Sequence, residues 1–426
     1  MSQTLRIDPL DGPVDADVQI PGSKSYTNRA LIIAALAEGT SRLSGALFSD
    51  DTDCMAAALA TLGVEIDADP ERESFTVCGA GGRIPIGRAD LDTGNSGTSA
   101  RFLTAYVSLG DGSFMLDGLP RMRERPIQDL LDGLGSLGVN ARSKLGNGCP
   151  PVVVEADGLK GGRTSMAGSH SSQYFTALLL VAPYAREDIC IEVLGDLVSK
   201  PYVDITIGIM HEFGVEVHNE SYRSFHVASG QRYAARDYTV EPDASNASYF
   251  LAAAALTGGR VRVSGLTRRS AQGDVRFVDL LERMGCQTCE YADSIEVRGP
   301  RQLSGIEADL NDTPDLVQTM CALAPFASSP VTVRNVANLR LKETDRIAAL
   351  EAELRKLGVE THTREDGLTV HPAERILPAE LDTYDDHRMA MSLALVGLVA
   401  PGIVLRDPQC VGKTFPTYFE LLEKLR

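Results

Sequence analysis

The chain has 426 residues and a formal net charge of −17, with 43% hydrophobic and 23% charged residues. This ordinary globular composition excludes a disordered or collagen-like chain, and the acidic balance argues against a general nucleic-acid-binding protein. The negative net charge does not exclude an anionic substrate, because a few converging Lys and Arg side chains can dominate the potential in one binding site.

The eight cysteines are dispersed along the chain, which is typical of proteins in a reducing compartment. The first residues show no basic stretch followed by an apolar core, and the longest apolar run, 389–405, is interrupted and too short to span a bilayer. The C-x-x-C motif of Cys286 and Cys289 has neither a second pair nor a nearby His, so we predict no metal site. These features predict a soluble, cytoplasmic protein.

In chain order, an amphipathic helix that ends in Gly before a short strand recurs five times. Its glycines, spaced by 71 to 76 residues, are Gly63, Gly138, Gly214, Gly285 and Gly358. Gly commonly ends helices because it adopts the left-handed conformation without a steric penalty. A sixth such helix, 418–426, closes the chain, and we expect the N-terminal segment 5–20 to supply the strand that should follow it.

A second pattern alternates with the first: an almost wholly apolar helix, a turn of small residues and a β-branched strand. The six copies of this helix begin near Asn28, Thr98, Ser172, Ala247, Asp315 and His387. A helix that is apolar on every side is a buried helix. We therefore predict an α/β fold of six repeats, each of about 70 residues, whose sheets wrap around buried helices.

Six repeats predict two domains of three repeats each. We expect a discontinuous domain formed by 1–20 and 241–426, completed by the N-terminal strand segment, and an inserted domain formed by 21–240. The chain then crosses twice between the domains, which predicts a hinge and a ligand-binding cleft.

Polar residues precede each apolar helix, and Lys24, Arg29, Arg101 and Arg388 lie at or near these helix starts. Any one start is equally well explained by N-capping, since Ser, Thr, Asn and Asp satisfy the free N–H groups there. Together the starts favour an anion-binding site, because helix N-termini attract phosphate and carboxylate groups. A bound anion would also offset the cost of placing a cation at the positive end of a helix.

Further cations lie in loops, at 121–125, at 342–346 and at Lys413, although a charge run alone is more typical of a solvated surface. No Gly-rich segment has the spacing of a nucleotide-binding motif. By themselves the residues indicate a two-domain enzyme that binds at least two anionic groups, and they leave the reaction open. The candidate acid–base groups are Lys24, Asp315, Glu343 and His387.

Six motifs spread over the whole chain resemble those of the 5-enolpyruvylshikimate-3-phosphate synthases. They are PGSKSYTNR (21–29), GNSGT (94–98), RMRERP (121–126), GDLVSKPY (195–202), KETDR (342–346) and DHRMAM (386–391). The resemblance implies the two-domain enolpyruvyl-transferase fold, an inside-out α/β barrel with three βαβαββ units per domain. It also implies the reaction: phosphoenolpyruvate and shikimate 3-phosphate give the enolpyruvyl ether and phosphate through a tetrahedral intermediate, on the route to chorismate.

The resemblance assigns substrate-binding residues position by position. Those for shikimate 3-phosphate are Lys24, Ser25, Arg29, Ser171, Ser172, Gln173, Ser199, Tyr202, Asp315, Asn338 and Lys342. Those for phosphoenolpyruvate are Lys24, Asn95, Gly97, Arg125, Gln173, Glu343, Arg346, His387, Arg388 and Lys413. The family pattern requires no metal or other cofactor.

The chemistry fits these residue types, because two multiply anionic substrates need fixed cations in a closed site. Our hypothesis makes Asp315 the base at the 5-hydroxyl of shikimate 3-phosphate. Glu343 and Lys24 handle the proton at the methylene of phosphoenolpyruvate, with the division between them left open, and His387 completes the catalytic set.

The chain departs from the family pattern at Thr27, where the family often has Ser, and in segment 96–102, which reads SGTSARF where the family often has AGTAMRP, so that Phe102 stands in place of Pro. Because the inhibitor glyphosate needs room beside Gly97, we expect sensitivity to it, with a degree that depends on Phe102. We also expect a monomer that binds no nucleic acid and no membrane.

Two alternatives stay open at this point. A UDP-N-acetylglucosamine enolpyruvyl transferase shares the fold, but that family usually carries a Cys in the loop matching 113–125, where this chain has none, and Asn in place of Ser25. A non-catalytic phosphosugar sensor or scaffold would not need the acid and base groups.

Overall fold

A computed structural model describes residues 3–426 of the chain. In chain order the strands are β1 (Thr4–Ile7), β2 (Asp15–Gln19), β3 (Glu38–Ser44), β4 (Glu65–Asp69), β5 (Ser74–Ala80), β6 (Arg88–Asp92), β7 (Asp111–Asp117), β8 (Asn140–Ser143), β9 (Val152–Asp157), β10 (Gly162–Ala167), β11 (Ile189–Leu194), β12 (His218–Asn219), β13 (Ser224–Val227), β14 (Asp237–Thr239), β15 (Arg260–Ser264), β16 (Gln287–Glu290), β17 (Ser294–Arg298), β18 (Glu307–Asp309), β19 (Val331–Arg334), β20 (Thr361–Arg364), β21 (Gly367–Val370), β22 (Ala379–Leu381) and β23 (Ile403–Arg406).

The helices alternate between buried and half-exposed ones, as the two sequence patterns predict. They are α1 (Lys24–Leu36), α2 (Asp50–Thr61), α3 (Gly97–Tyr106), α4 (Gln128–Ser136), α5 (Ser172–Val181), α6 (Lys200–Glu212), α7 (Ala244–Thr257), α8 (Phe277–Arg283), α9 (Val317–Leu323), α10 (Arg346–Lys356), α11 (His387–Gly397) and α12 (Tyr418–Glu423). Among residues 3–426, no helix is both long and apolar enough to cross a membrane.

The chain divides into two compact units. The continuous unit is Gly22–Glu241, and the discontinuous unit is Met1–Pro21 together with Pro242–Arg426. In the part of each unit that the structure describes, three sheets surround one hydrophobic core. The interleaved helices and sheets confirm the predicted α/β fold class.

The core of each unit is built on three buried helices. In the continuous unit these are α1, α3 and α5, and in the discontinuous unit α7, α9 and α11. Segment 30–36 of α1 is wholly buried, and α3 packs along α5 as α9 packs along α11. The apolar side chains all round these helices explain their position, since each helix has a sheet or another helix on every side.

Among the described residues, five of the six sheets follow one plan, in which a parallel strand pair is extended by an antiparallel hairpin. In the last sheet the parallel pair is extended by the single antiparallel strand β1. In the continuous unit the strand orders are β14-β3-β5-β4, β6-β7-β9-β8 and β10-β11-β13-β12. In the discontinuous unit they are β2-β15-β17-β16, β18-β19-β21-β20 and β22-β23-β1. The five glycines that end α2, α4, α6, α8 and α10 all have positive φ, which confirms their predicted role as helix stops.

The N-terminal segment supplies strands to two sheets rather than to one. β1 pairs antiparallel with β23 in the last sheet, as predicted. β2 instead pairs parallel with β15, so the prediction that all of segment 5–20 completes the last unit is wrong for β2. The side chains favour this pairing, because Arg260 on β15 forms ion pairs with Asp15 and Asp17 on β2 at 2.8 Å and 2.7 Å.

Candidate active site

In the discontinuous unit, helix caps place charged side chains at the starts of α10 and α11. The Asp345 carboxylate accepts a hydrogen bond from the Ala348 N–H at 3.0 Å, so α10 begins at Arg346. The Asp386 carboxylate accepts one from the Arg388 N–H at 2.9 Å. These caps satisfy N–H groups at the helix starts, and they fix the first side chain of each helix at its N-terminus.

Arg346 is 1% exposed and links three carboxylates. Its Nε lies 2.7 Å from Asp386 Oδ2, its Nη1 lies 3.0 Å from Asp315 Oδ1, and its Nη2 lies 2.9 Å from Glu343 Oε2. Burial alone would lower the pKa of Arg346, but the neighbouring carboxylate charges outweigh it and raise that pKa above its usual value. The two predicted acid–base carboxylates, Asp315 and Glu343, are therefore held by two nitrogens of one guanidinium group.

Arg388 and Lys413 complete this charge network. Arg388 Nη2 lies 2.8 Å from Asp315 Oδ2, and its Nη1 lies 3.3 Å from the Tyr249 hydroxyl. Lys413 Nζ lies 3.9 Å from Glu343 Oε1. The side chain of Asp315 is 19% exposed, against 8% for Glu343, so Asp315 is the more accessible of the two to a ligand.

The remaining predicted residues of this unit are sequence neighbours of Asp386 or Glu343. His387 is buried beside Asp386, with 3.8 Å between its Nδ1 and Asp386 Oδ1. Asn338 is buried in the 3₁₀ turn Ala337–Leu341, and Lys342 follows that turn directly before Glu343.

Asp274 is a buried neighbour of this network that was not among the residues predicted from the sequence. It accepts a hydrogen bond from the Ser245 hydroxyl. Burial, followed by the charge of Asp315, raises the pKa of Asp274 to about 7, although Arg388 opposes the shift. No motif marks Asp274, because it lies in a 3₁₀ turn before α8 rather than at the start of a buried helix.

In the continuous unit, Lys24 is the first residue of α1 and lies beside a buried carboxylate. Its Nζ is 3.5 Å from Asp51 Oδ2, and Asp51 on α2 is 3% exposed. Asp51, too, was not among the residues predicted from the sequence. The only signal for it is its position in the first turn of a capped helix, which points to capping rather than to a partner for Lys24.

Arg29 forms hydrogen bonds with residues of both α1 and α6, among them the predicted Ser25 and Tyr202. It donates to the carbonyl oxygens of Ser25 and Tyr202 at 2.8 Å and 3.0 Å, and to the Thr206 hydroxyl at 2.7 Å. Its guanidinium carbon lies 5.4 Å from the ring centroid of Phe102. Burial lowers the pKa of Arg29 to about 10, and its contact with shikimate 3-phosphate stays a prediction.

Two more arginines surround the start of α3. Arg101 Nη1 donates to the Gly97 carbonyl oxygen at 2.9 Å, and Arg125 Nη1 donates to that of Asn95 at 3.1 Å. A Cβ atom on Gly97 would come within 3 Å of both guanidinium groups, so a side chain here would have to displace them. Gln173 also reaches this helix start, since its Nε2 donates to the Thr98 hydroxyl at 3.1 Å.

The serines predicted to bind shikimate 3-phosphate lie at the starts of α5 and α6. Ser171 caps α5, its hydroxyl accepting from the Gln173 N–H at 3.3 Å, and Ser172 is the first helical residue. Ser199 precedes α6 with a left-handed backbone, φ 56°. Such a conformation is costly for a residue other than Gly and is common at ligand-binding sites.

Comparison with known proteins shows a match over nearly the whole chain. The family model described as EPSP synthase (3-phosphoshikimate 1-carboxyvinyltransferase) matches residues 10–422. The 3-phosphoshikimate 1-carboxyvinyltransferase of Nostoc sp. strain PCC 7120 is 51% identical over 422 residues, covering 99% of each chain. That of Nostoc punctiforme is 52% identical over 416 residues, covering 98% of this chain and 97% of the relative.

A solved structure agrees with these relatives. The structure of the EPSP synthase from Acinetobacter baumannii superimposes with a TM-score of 0.84 at 25% identity, covering 100% of this chain and 98% of that one. The two-domain α/β fold expected from the sequence resemblance is thereby confirmed.

Proposed function

The chain belongs to the EPSP synthase family, the 3-phosphoshikimate 1-carboxyvinyltransferases of the shikimate pathway, and we propose that the two charged residue groups described above bind and convert its substrates. The reaction transfers the enolpyruvyl group of phosphoenolpyruvate to the 5-hydroxyl of shikimate 3-phosphate and releases phosphate. The observation that carries the residue assignment is the Arg346 network, which holds Asp315 and Glu343 on one guanidinium group.

In the addition step, Asp315 takes the proton of the 5-hydroxyl as its oxygen bonds to the central carbon of phosphoenolpyruvate. Both Asp315 oxygens already accept from arginines, but a carboxylate oxygen has two lone pairs and can accept again. Glu343 or Lys24 delivers a proton to the methylene carbon. The product of this step is a tetrahedral intermediate.

In the elimination step, the C–O bond to phosphate breaks and the new methyl group loses a proton to the same acid–base group. This restores the double bond and gives the enolpyruvyl ether. Cations stabilise the charge on the departing phosphate, which is the usual contribution of Lys and Arg side chains to phosphate chemistry. The residues that we assign to this role are Lys24, Arg125, Arg346, Arg388 and Lys413, and His387 contributes as a hydrogen-bonding neighbour.

The proposed binding residues are assigned separately to the two substrates. For shikimate 3-phosphate we propose Lys24, Ser25, Arg29, Ser171, Ser172, Gln173, Ser199, Tyr202, Asp315, Asn338 and Lys342. For phosphoenolpyruvate we propose Asn95, Gly97, Gln173, Glu343 and His387 with the cations named above.

Phosphate release tests the function directly. Phosphate should appear only when both substrates are present, and omitting either one should abolish it. Replacing shikimate 3-phosphate by UDP-N-acetylglucosamine should give none, which distinguishes this enzyme from the related enolpyruvyl transferase. A sensor or scaffold would release no phosphate with any pair.

We also propose three finer properties. The enzyme acts as a monomer in the cytoplasm, in keeping with the eight cysteines dispersed along the chain. Glyphosate inhibits it by binding beside Gly97, where Arg101 and Arg125 present positive charge. Full turnover in millimolar glyphosate would contradict that proposal, and light scattering tests the monomer.

A further inference from the structure

The hairpin of β20 and β21 in the discontinuous unit carries three side chains with metal-ligand atoms. Thr361 pairs with Val370 in antiparallel register, and the His371 N–H donates to the Glu360 carbonyl oxygen at 2.9 Å. Glu360 and His371 are therefore opposite one another. His362 lies two residues beyond Glu360, so its side chain is on the same face of the strand.

The three side chains already lie close together. His362 Nε2 is 2.9 Å from Glu360 Oε1, and the rings of His362 and His371 are perpendicular at 89° with centroids 5.2 Å apart. One ligand atom from each of the three residues lies within 4.8 Å of the other two. In the described part of the chain, this is the one group of three or more such residues with this spacing.

We propose that Glu360, His362 and His371 bind one divalent transition-metal ion, of the class of Zn²⁺, Co²⁺, Ni²⁺ and Cu²⁺. Two imidazoles and one carboxylate suit these ions, whereas Mg²⁺ and Ca²⁺ prefer oxygen ligands alone. Metal–ligand bonds of about 2.0 to 2.2 Å would require the ligand atoms to approach one another by side-chain rotation. The side chains of Glu360 and His362 are 67% and 63% exposed, so solvent rather than packed protein surrounds most of their surface and leaves space for this rotation.

The equivalent hairpin of the continuous unit provides a matched control. Its sequence GVEVH (214–218) parallels GVETH (358–362), and His226 on the following strand lies opposite His218. There, however, Glu216 pairs with His211 at 3.2 Å, and the rings of His218 and His226 are 6.0 Å apart. Similar residues on a similar hairpin thus lack the convergence found at the proposed site.

The test is a titration of the full-length, chelator-treated protein, without a histidine tag, with Co²⁺ followed by calorimetry and visible absorption. We expect one equivalent of Co²⁺ to bind and Mg²⁺ not to compete. His371→Ala and Glu360→Gln should each weaken binding by at least about tenfold, whereas His218→Ala should bind as the parent does. Thermal unfolding without metal checks that each variant is folded.

Three results would overturn the proposal: no Co²⁺ binding, unchanged binding in folded His371→Ala and Glu360→Gln, or loss of binding in His218→Ala. A thiolate-to-cobalt absorption band would also overturn it, because none of the three proposed ligands is a cysteine. None of these readouts depends on turnover. The metal site is therefore tested independently of the proposed enzymatic function.

Discussion

The two units stabilise their buried arginines in different ways. In the discontinuous unit, Arg346 is surrounded by three carboxylates and Arg388 shares one of them. In the continuous unit, Arg29 and Arg101 donate to backbone carbonyl oxygens and, for Arg29, to a hydroxyl, and their guanidinium groups lie over aromatic rings.

This difference separates two chemical tasks. Carboxylates next to fixed cations are kept ionised and in a defined position, so they are ready to accept a proton from a bound ligand. Arginines held by neutral acceptors keep their positive charge uncompensated, which favours binding of a multiply anionic ligand. The comparison therefore predicts that carboxylate substitutions affect turnover and that changes around the arginines of the continuous unit affect binding and stability.

The largest effect is expected from Asp315→Asn, which keeps the size of the side chain and removes the base. Turnover should fall by about 10²- to 10⁴-fold, the usual contribution of a positioned acid or base. Steady-state phosphate release measures it. Asp312→Asn serves as the control, because Asp312 forms a more exposed ion pair with Arg276 at 3.7 Å. A decrease of less than tenfold in a folded Asp315→Asn protein would show that Asp315 is not the base.

Thr206→Val tests the neutral acceptors of the continuous unit. The substitution leaves Arg29 Nε without its hydroxyl partner in a buried site, at a cost of about 1 to 3 kcal/mol in the free energy of unfolding. Urea denaturation measures this loss. Thr61→Val should cost less, because the Thr61 hydroxyl bonds only to its own exposed helix at the Ala57 carbonyl. Equal losses in the two variants would contradict the role given to Thr206.

Gly97→Ala tests the arginines around α3. The added methyl group must displace the guanidinium groups of Arg101 and Arg125, so we expect the KM for phosphoenolpyruvate to rise about tenfold, equivalent to about 1.4 kcal/mol. The KM for shikimate 3-phosphate should change less. Gly135→Ala is the matched control, because a Cβ atom at this helical position meets open space. An unchanged KM for phosphoenolpyruvate would remove Gly97 from the proposed site.

Asp274→Asn tests the buried carboxyl of the discontinuous unit. Because the pKa of Asp274 is raised to about 7, the folded protein keeps this proton above the pH at which the unfolded chain loses it. The stabilising contribution of this group is therefore complete below about pH 4 and is lost as the pH rises towards 7. In that window, the stability of Asp274→Asn relative to the parent should increase with pH, by at most about 1.4 kcal/mol per pH unit.

Denaturant unfolding at several pH values measures this trend. Asp293→Asn is the control, because the side chain of Asp293 is 81% exposed. Parallel pH profiles for the parent and Asp274→Asn would show that Asp274 does not hold its proton in the folded state.

The sequence determined the repeats, the buried helices and the glycines that end the exposed ones, together with membership of the family. These features depend on short-range periodicity and on the backbone freedom of Gly, which neighbouring residues display directly. The sequence also marked Lys24, Asp315 and Arg388 as candidates, because they lie at or near the starts of buried helices. It marked Glu343 because that residue belongs to a segment of mixed charge before another helix.

Only the tertiary structure decided which of these charges meet. Asp51 and Asp274 carry no motif, and their partners Lys24 and Ser245 are distant in the sequence, so packing alone brings them together. The same holds for β2, whose place beside β15 depends on a strand 245 residues away. Contacts of this kind depend on how whole elements pack, and no local pattern encodes them.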